Sequence, residues 1–181
     1  RPLDSFVKLN DTGAVLARGA SLNSDMTQDT KTPAVLGNIL SGDITIGADG
    51  AGNRAAGLNF ENVMIPKGAT IANAYILVTA KTTQSGLSNW YIDAEMSGDA
   101  ENYVTTPLLA TTRNYSAPVT WQPTAWVAGQ QTQIPVTEAV QAVVSQTSWC
   151  GGNKLAIRIR DVGNTSAVPT TRVAYSFDSA G

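Results

Sequence analysis

The sequence predicts an all-β chain: an antiparallel β-sandwich carrying one short helix near residues 137–145. Three observations predict it. Short stretches in which apolar and polar residues alternate recur from Asp4 to Phe177, the period expected of strands with one face buried. Clusters of Gly, Pro, Asn and Asp separate them, as turns require. Charged residues make up only 14%, well below the usual quarter, and Ser and Thr take their place, as on exposed β-surfaces.

The elements follow in order. Residues 4–10 (DSFVKLN) alternate, and 13–18 (GAVLAR) do so more loosely. Residues 19–42 are polar and glycine-bearing and read as a long loop with one short strand near Val35 and Leu36. A strand is expected at 42–47 (GDITIG), ending in the glycine-rich turn ADGAGN at 48–53, and extended structure resumes to Ile65. Pro66 and Gly68 make a turn, one fixing φ and the other permitting φ > 0. The strongest strand is 71–82, with Ala72, Ala74, Ile76, Val78 and Ala80 on one face. Residues 89–96 set Trp90, Ile92, Ala94 and Met96 against Asn89, Tyr91, Asp93 and Glu95. Val136, Ala139, Val140, Val143 and Val144 then fall at helical spacing, with Thr137 placed to cap the start. Strict alternation returns at 153–161, Leu155, Ile157 and Ile159 inward, Lys154, Arg158 and Arg160 outward; RVAYSF follows. No repeat or linker divides the 181 residues, so a single domain over 1–181 is expected.

Composition narrows function. The net charge of −2 supplies no basic field for nucleic acid or an anionic membrane. No apolar run approaches the ~20 residues of a membrane span. The chain has no histidine, which removes the commonest general base and metal ligand. Cys150 is the sole cysteine; an intrachain disulfide is excluded, and a small buried hydrophobe is the expected role. The chain opens on Arg1 without an apolar leader; a leader removed by processing, or a boundary within a longer protein, would give that start.

Four stretches together resemble the DNRLRE-type secreted jelly-roll modules, which are related to carbohydrate-binding modules and to a module of pilus-tip adhesin-like proteins. They are GLNFENVMIPKGATIANAYILVTA (57–80), VTWQPTAW (119–126), VTEAVQAVVSQTSWCGGNKLAIRIRD (136–161) and RVAYSFDS (172–179). The resemblance spans about residues 43–179. It implies a jelly roll, secretion, and a role in surface attachment, polysaccharide binding or assembly. Asn59 departs from it, standing where such modules often carry arginine. Such modules also continue into a further strand after the last motif, whereas this sequence stops at Gly181.

That departure motivates a donor-strand expectation. Residues 1–10 carry Leu3, Ser5, Val7 and Leu9 on one face. As an N-terminal arm they would add as a strand to the next subunit, and head-to-tail donation of that kind builds a filament.

Candidate sites are few. Asp43, Asp49 and Asn53 surround a glycine-rich turn and could offer calcium its oxygens; against this stands a plain β-turn rich in Asp, Gly and Asn, the favoured reading. Asp93 and Glu95 share one strand face, a second calcium candidate or two neighbours on a solvated surface. Catalysis there would need a cleft. Tyr91 and Trp126 are expected to be exposed and could stack on sugars, while Trp90, Trp121 and Trp149 are expected in the core. Sequons begin at Asn10, Asn114 and Asn164. The sequence is thus read as a non-enzymatic extracellular or cell-surface module. It would need no cofactor, with Ca2+ the cation it would take. It would self-associate head to tail into a filament or sheath, with carbohydrate binding as the alternative.

Overall fold

The computed structural model of the chain describes the backbone of residues 5–8, 15–18, 25–29 and 38–39, and residues 43–48, 53–101, 103, 112–162 and 170–175. The strands are β1 (Ser5–Lys8), β2 (Val15–Arg18), β3 (Asp25–Asp29), β4 (Asn38–Ile39), β5 (Asp43–Ala48), β6 (Asn53–Val63), β7 (Asn73–Thr79), β8 (Trp90–Ala94), β9 (Val119–Trp121), β10 (Gln131–Pro135), β11 (Asn153–Asp161) and β12 (Arg172–Tyr175); the helix is α1 (Thr137–Val144).

The strands form two antiparallel sheets packed as a β-sandwich. The smaller runs β10-β7-β1-β2. The larger runs β12-β5-β6-β11-β8-β9, with β3 added to β6 and β4 to β3. Its centre is the β6–β11 ladder, where Phe60 opposes Leu155, Leu58 opposes Ile157 and Ala56 opposes Ile159. These alternate residues point inward and meet Ala74, Ile76 and Val78 of β7 and Ile134 of β10 in one core. Trp90, Ile92 and Ala94 of β8 join them. The inward faces of residues 74–80, 90–94 and 155–159 are those expected from the alternation; Ala72, expected inward, is exposed, and Ile71 is buried instead.

Strand β12 links the two sheets. Ala174 opposes Ile44 of β5 and also bridges Ala80, just beyond β7, while the Lys81 N–H donates to the Val173 carbonyl at 2.8 Å. Gly47 closes the other end of β5. Its φ of +113° and a Cβ position 2.8 Å from the Thr170 carbonyl oxygen admit only glycine. There the Thr170 N–H donates to the Ala48 carbonyl at 2.7 Å.

The helix lies where its spacing predicted, burying Ala139, Val140, Val143 and Val144. Its cap differs. Val136 is the N-cap and makes no side-chain cap bond; the Thr137 hydroxyl instead accepts the Ala74 N–H at 3.0 Å, fastening the helix start to β7. Val136 N–H donates to the Ala74 carbonyl, so even-numbered residues of β10 bond toward β7. The missing N–H of Pro135 therefore faces off the sheet edge, where proline is tolerated.

One expectation is corrected. The predicted loop 19–42 contains β3 and β4; Val35 and Leu36, expected as a short strand, lie outside the described residues. Strand β3 (DMTQD) has no apolar period to announce it; its ladder against β6, Asp25 opposite Leu58 through Asp29 opposite Arg54, is what extends it. Within the single chain, residues 5–8 pair with β2 and, through Val7–Ala74 and Lys8–Asn73, with β7. Leu3 and Leu9 lie outside the described residues; Ser5 and Val7 are placed in β1. Among the described residues, no helix is long and apolar enough to cross a membrane.

Candidate functional site

The outer face of the large sheet brings together three of the residues singled out in the sequence. In the β11–β8 register, Arg158 opposes Asp93 and Arg160 opposes Tyr91. Tyr91 in turn opposes Thr120 of β9, and Glu95 bridges Tyr115. One of these cross-strand pairs, Arg158 and Asp93, joins opposite charges.

Asp93 is only 1% exposed, not solvated as expected. Arg158 grips it with two bonds, Nε to Oδ1 at 2.8 Å and Nη2 to Oδ2 at 2.6 Å, the bidentate fork that makes such pairs strong. The Arg158 guanidinium lies 3.6 Å from the centre of the Tyr115 ring. Arg160 lies over Tyr91 at 4.7 Å, with its Nε 4.0 Å from Asp93 Oδ2.

Glu95 is buried as well and accepts a hydrogen bond from Arg113 Nη1. Arg113 also donates to the Glu101 carbonyl and lies over the Tyr103 ring at 4.7 Å. Burial pushes the Glu95 carboxyl above its ordinary 4.5, outweighing the Arg113 charge that pulls it down. Burial likewise raises the phenols of Tyr103 and Tyr115, so both stay neutral at physiological pH. The described residues over this face include Tyr103, Arg113 and Tyr115. Tyr103 packs with Ala55, Ala100 and Ala156 in a second small core. Asn59, fully buried, donates to the carbonyls of Ala100 at 3.3 Å and Glu101 at 3.1 Å. The position where the resembling modules often carry arginine is thus a strut that ties Ala100 and Glu101 to β6.

The other candidates separate. Asp43 stands at the start of β5 and pairs with Lys81 at 2.5 Å. Asn53 opens β6 beyond the following turn, so the length of β5, about 16 Å at 3.3 Å per residue, lies between them. Asp49 is outside the described residues. Asp93 and Glu95 face arginines, which leaves no carboxylate pair across a cleft. Among the described residues, no three His, Cys, Asp or Glu side chains are grouped as metal ligands.

Trp126 is the clearest correction. It is 2% exposed, because residues 84 and 126 exchange two backbone bonds of 2.9 Å that draw its loop onto the sandwich. Its ring meets Trp90 edge to face at 5.8 Å, and Trp121 meets Trp90 from another side at 5.5 Å. Trp90 and Trp149 are fully buried, as expected, and Trp121 packs partly buried against the core. Tyr91 alone of the expected sugar platform remains half-exposed. Cys150 is exposed and free, since it enters the turn before β11 instead of the core. Asn114 is exposed; Asn10 and Asn164 lie outside the described residues.

Sequence periodicity did not reveal Arg172. It is 1% exposed, and it donates to the carbonyls of Gly86 (2.7 Å), Thr124 (3.3 Å) and Thr170 (3.2 Å). One buried guanidinium therefore fixes two loops at one end of the sandwich. Alternation in RVAYSF sets Val173 and Tyr175 as the apolar face, whereas the structure buries Arg172 and Ala174.

No protein-family model matches the chain, and no curated protein matches it.

Proposed function

We propose that the chain is a non-enzymatic extracellular module with a structural and adhesive role, a jelly roll of the DNRLRE type. The observation that carries this reading is how the polar side chains of the outer face are used. Asp93 and Glu95, the carboxylates best placed for acid–base work, are held by Arg158 and Arg113 in a stacked framework that stiffens the sheet. Among the motif residues, Trp149 and Arg172 also fix backbone: Trp149 Nε1 donates to the Ile65 carbonyl at 2.9 Å.

In its assembled form the module exchanges strands. The β1–β2 hairpin meets β7 at two residue pairs. Docking the hairpin on the β7 of a neighbouring copy preserves every pairing while linking subunits head to tail. Negative-stain electron microscopy and mass photometry of the purified protein test this. Fibres or regular oligomers are expected as concentration rises. A monodisperse monomer at every concentration would contradict the assembly reading.

A further inference from the structure

The edges of the two sheets are not protected equally. Strand β12 is joined to the small sheet through the Ala174–Ala80 bridge, β9 is three residues long, and β2 ends on the charge of Arg18. A covering contact, short length and a charge are the usual ways in which an edge is blunted against pairing with another chain. Strand β10 (QTQIP) is the edge of the small sheet beyond β7, and Pro135 guards only its last position. No Lys, Arg, Asp or Glu lies between Arg113 and Glu138. Even-numbered residues bond toward β7: the Gln130 carbonyl accepts the Ala80 N–H, and the Val136 N–H donates to the Ala74 carbonyl. The backbone groups of Gln131 and Gln133 therefore point off the edge. Both residues are exposed, and among the described residues nothing pairs with this side of β10.

We propose that β10 pairs antiparallel with β10 of a second copy, about a two-fold axis at Thr132, and joins two small sheets into one. Gln131 then opposes Gln133 of the second copy, and each such pair exchanges both backbone bonds. The glutamine side chains meet on the outer face, where one amide donates and the other accepts. Pro135 falls opposite Gly129, whose N–H is already given to the Ala80 carbonyl at 2.8 Å, so the ladder ends at proline without stranding a donor. A second copy fits better than an unrelated strand because the edge is its own complement. The two-fold brings no charge against another and matches edges of equal length. The contact lies on the opposite side of β7 from β1, so it does not rest on strand exchange. Exchange links copies head to tail; β10 joins them sideways. One edge pair buries less than a stable dimer needs. Free copies therefore associate through it only when concentrated, and copies already held in an array do so readily.

Single-cysteine variants in a Cys150→Ser background test this register, because any disulfide then joins two chains. Thr132 opposes its own copy across the axis at a non-hydrogen-bonded position, with Cα atoms about 4.5 Å apart, within disulfide reach. On mild oxidation of the concentrated protein, Thr132→Cys is expected to give a covalent dimer on a non-reducing denaturing gel. In Gln133→Cys the two cysteines lie about 7 Å apart along the strands alone, at 3.4 Å per residue, and should cross-link about tenfold less. Adding Gln131→Lys and Gln133→Lys to Thr132→Cys sets like charges opposite each other and should remove most of the dimer. Circular dichroism confirms that each variant is folded. Strand-exchanged neighbours are not covalently joined in these variants and separate on the gel, so the two proposals fail independently. Equal cross-linking of Gln133→Cys, or a dimer unchanged by the two lysines, would overturn the proposal. So would a Thr132→Cys protein that stays monomeric, which would leave the edge to a strand of a different protein.

Discussion

Arg158 closes both oxygens of Asp93 in bonds of 2.8 and 2.6 Å, and the carboxylate it holds is all but inaccessible to water. Breaking a buried pair strands a charge and costs about 3–5 kcal/mol. Asp93→Asn is therefore expected to lower Tm by roughly 10 °C, at 2–4 °C per kcal/mol for a chain of this size. It also leaves Arg158 and Arg160 side by side without their shared counter-charge. Adding Arg160→Gln to Asp93→Asn should recover part of the loss, a coupling that thermal melts of the two single variants and the double variant would read out.

Glu95 carries a pH signature whose sign follows from burial. Its folded carboxyl titrates above the ordinary 4.5, so between those two values the folded state binds the proton that the unfolded state has released. Stability from this group is fully present below about 4.5 and falls as pH rises through the folded pKa. A carbon-detected NMR titration of the Glu95 side chain should give a midpoint above 4.5. A midpoint below it would mean that Arg113 outweighs burial.

Two buried tryptophans should respond differently to the same change. Trp149 Nε1 donates to the Ile65 carbonyl, whereas Trp126 Nε1 is buried without a partner. Trp149→Phe orphans a carbonyl, worth about 1–3 kcal/mol, in addition to the lost volume. Trp126→Phe loses volume but also removes an unsatisfied donor. Chemical denaturation should therefore show the larger loss for Trp149→Phe.

Arg172 is expected to act on its loops before the whole fold. Arg172→Leu removes the donors that hold Gly86 and Thr124, so hydrogen exchange should quicken around residues 84–88 and 122–126 first. Arg172→Lys, lacking the fork that spans both loops, should restore little of the protection. Uniform acceleration over all strands would instead mark a global loss.

Much of this architecture was legible in the sequence, and the gaps have physical causes. The inward faces of β7, β8 and β11 follow from alternation, because a strand with one buried face must repeat every two residues. The same rule assigned Tyr91, Asp93 and Glu95 to solvent; Tyr91 is half-exposed, but both carboxylates are buried. The two carboxylates are held by Arg158 and Arg113, beside the rings of Tyr115 and Tyr103, and Arg113, Tyr103 and Tyr115 belong to no periodic stretch of sequence. The complementary charges of Arg158 and Arg160 on one strand and Asp93 and Glu95 on another were a usable signal for cross-strand pairing. Trp126 sits in an irregular loop, so only its backbone bonds with residue 84 decide its burial. Strand β3 is polar throughout and is extended by its neighbour β6, which no local reading detects.

Strand exchange is the central claim, and the register of β1 on β7 offers its most direct test. Lys8 opposes Asn73. Opposed residues in an antiparallel pair have Cα atoms about 4.5–5.5 Å apart, within the range a disulfide spans. Lys8→Cys and Asn73→Cys, in a background with Cys150→Ser, should cross-link on oxidation of the concentrated protein. On a non-reducing denaturing gel, exchange gives a ladder of covalent multimers that collapses to monomer on reduction. A single cross-linked monomer band, with both cysteines joined within one chain, would contradict it.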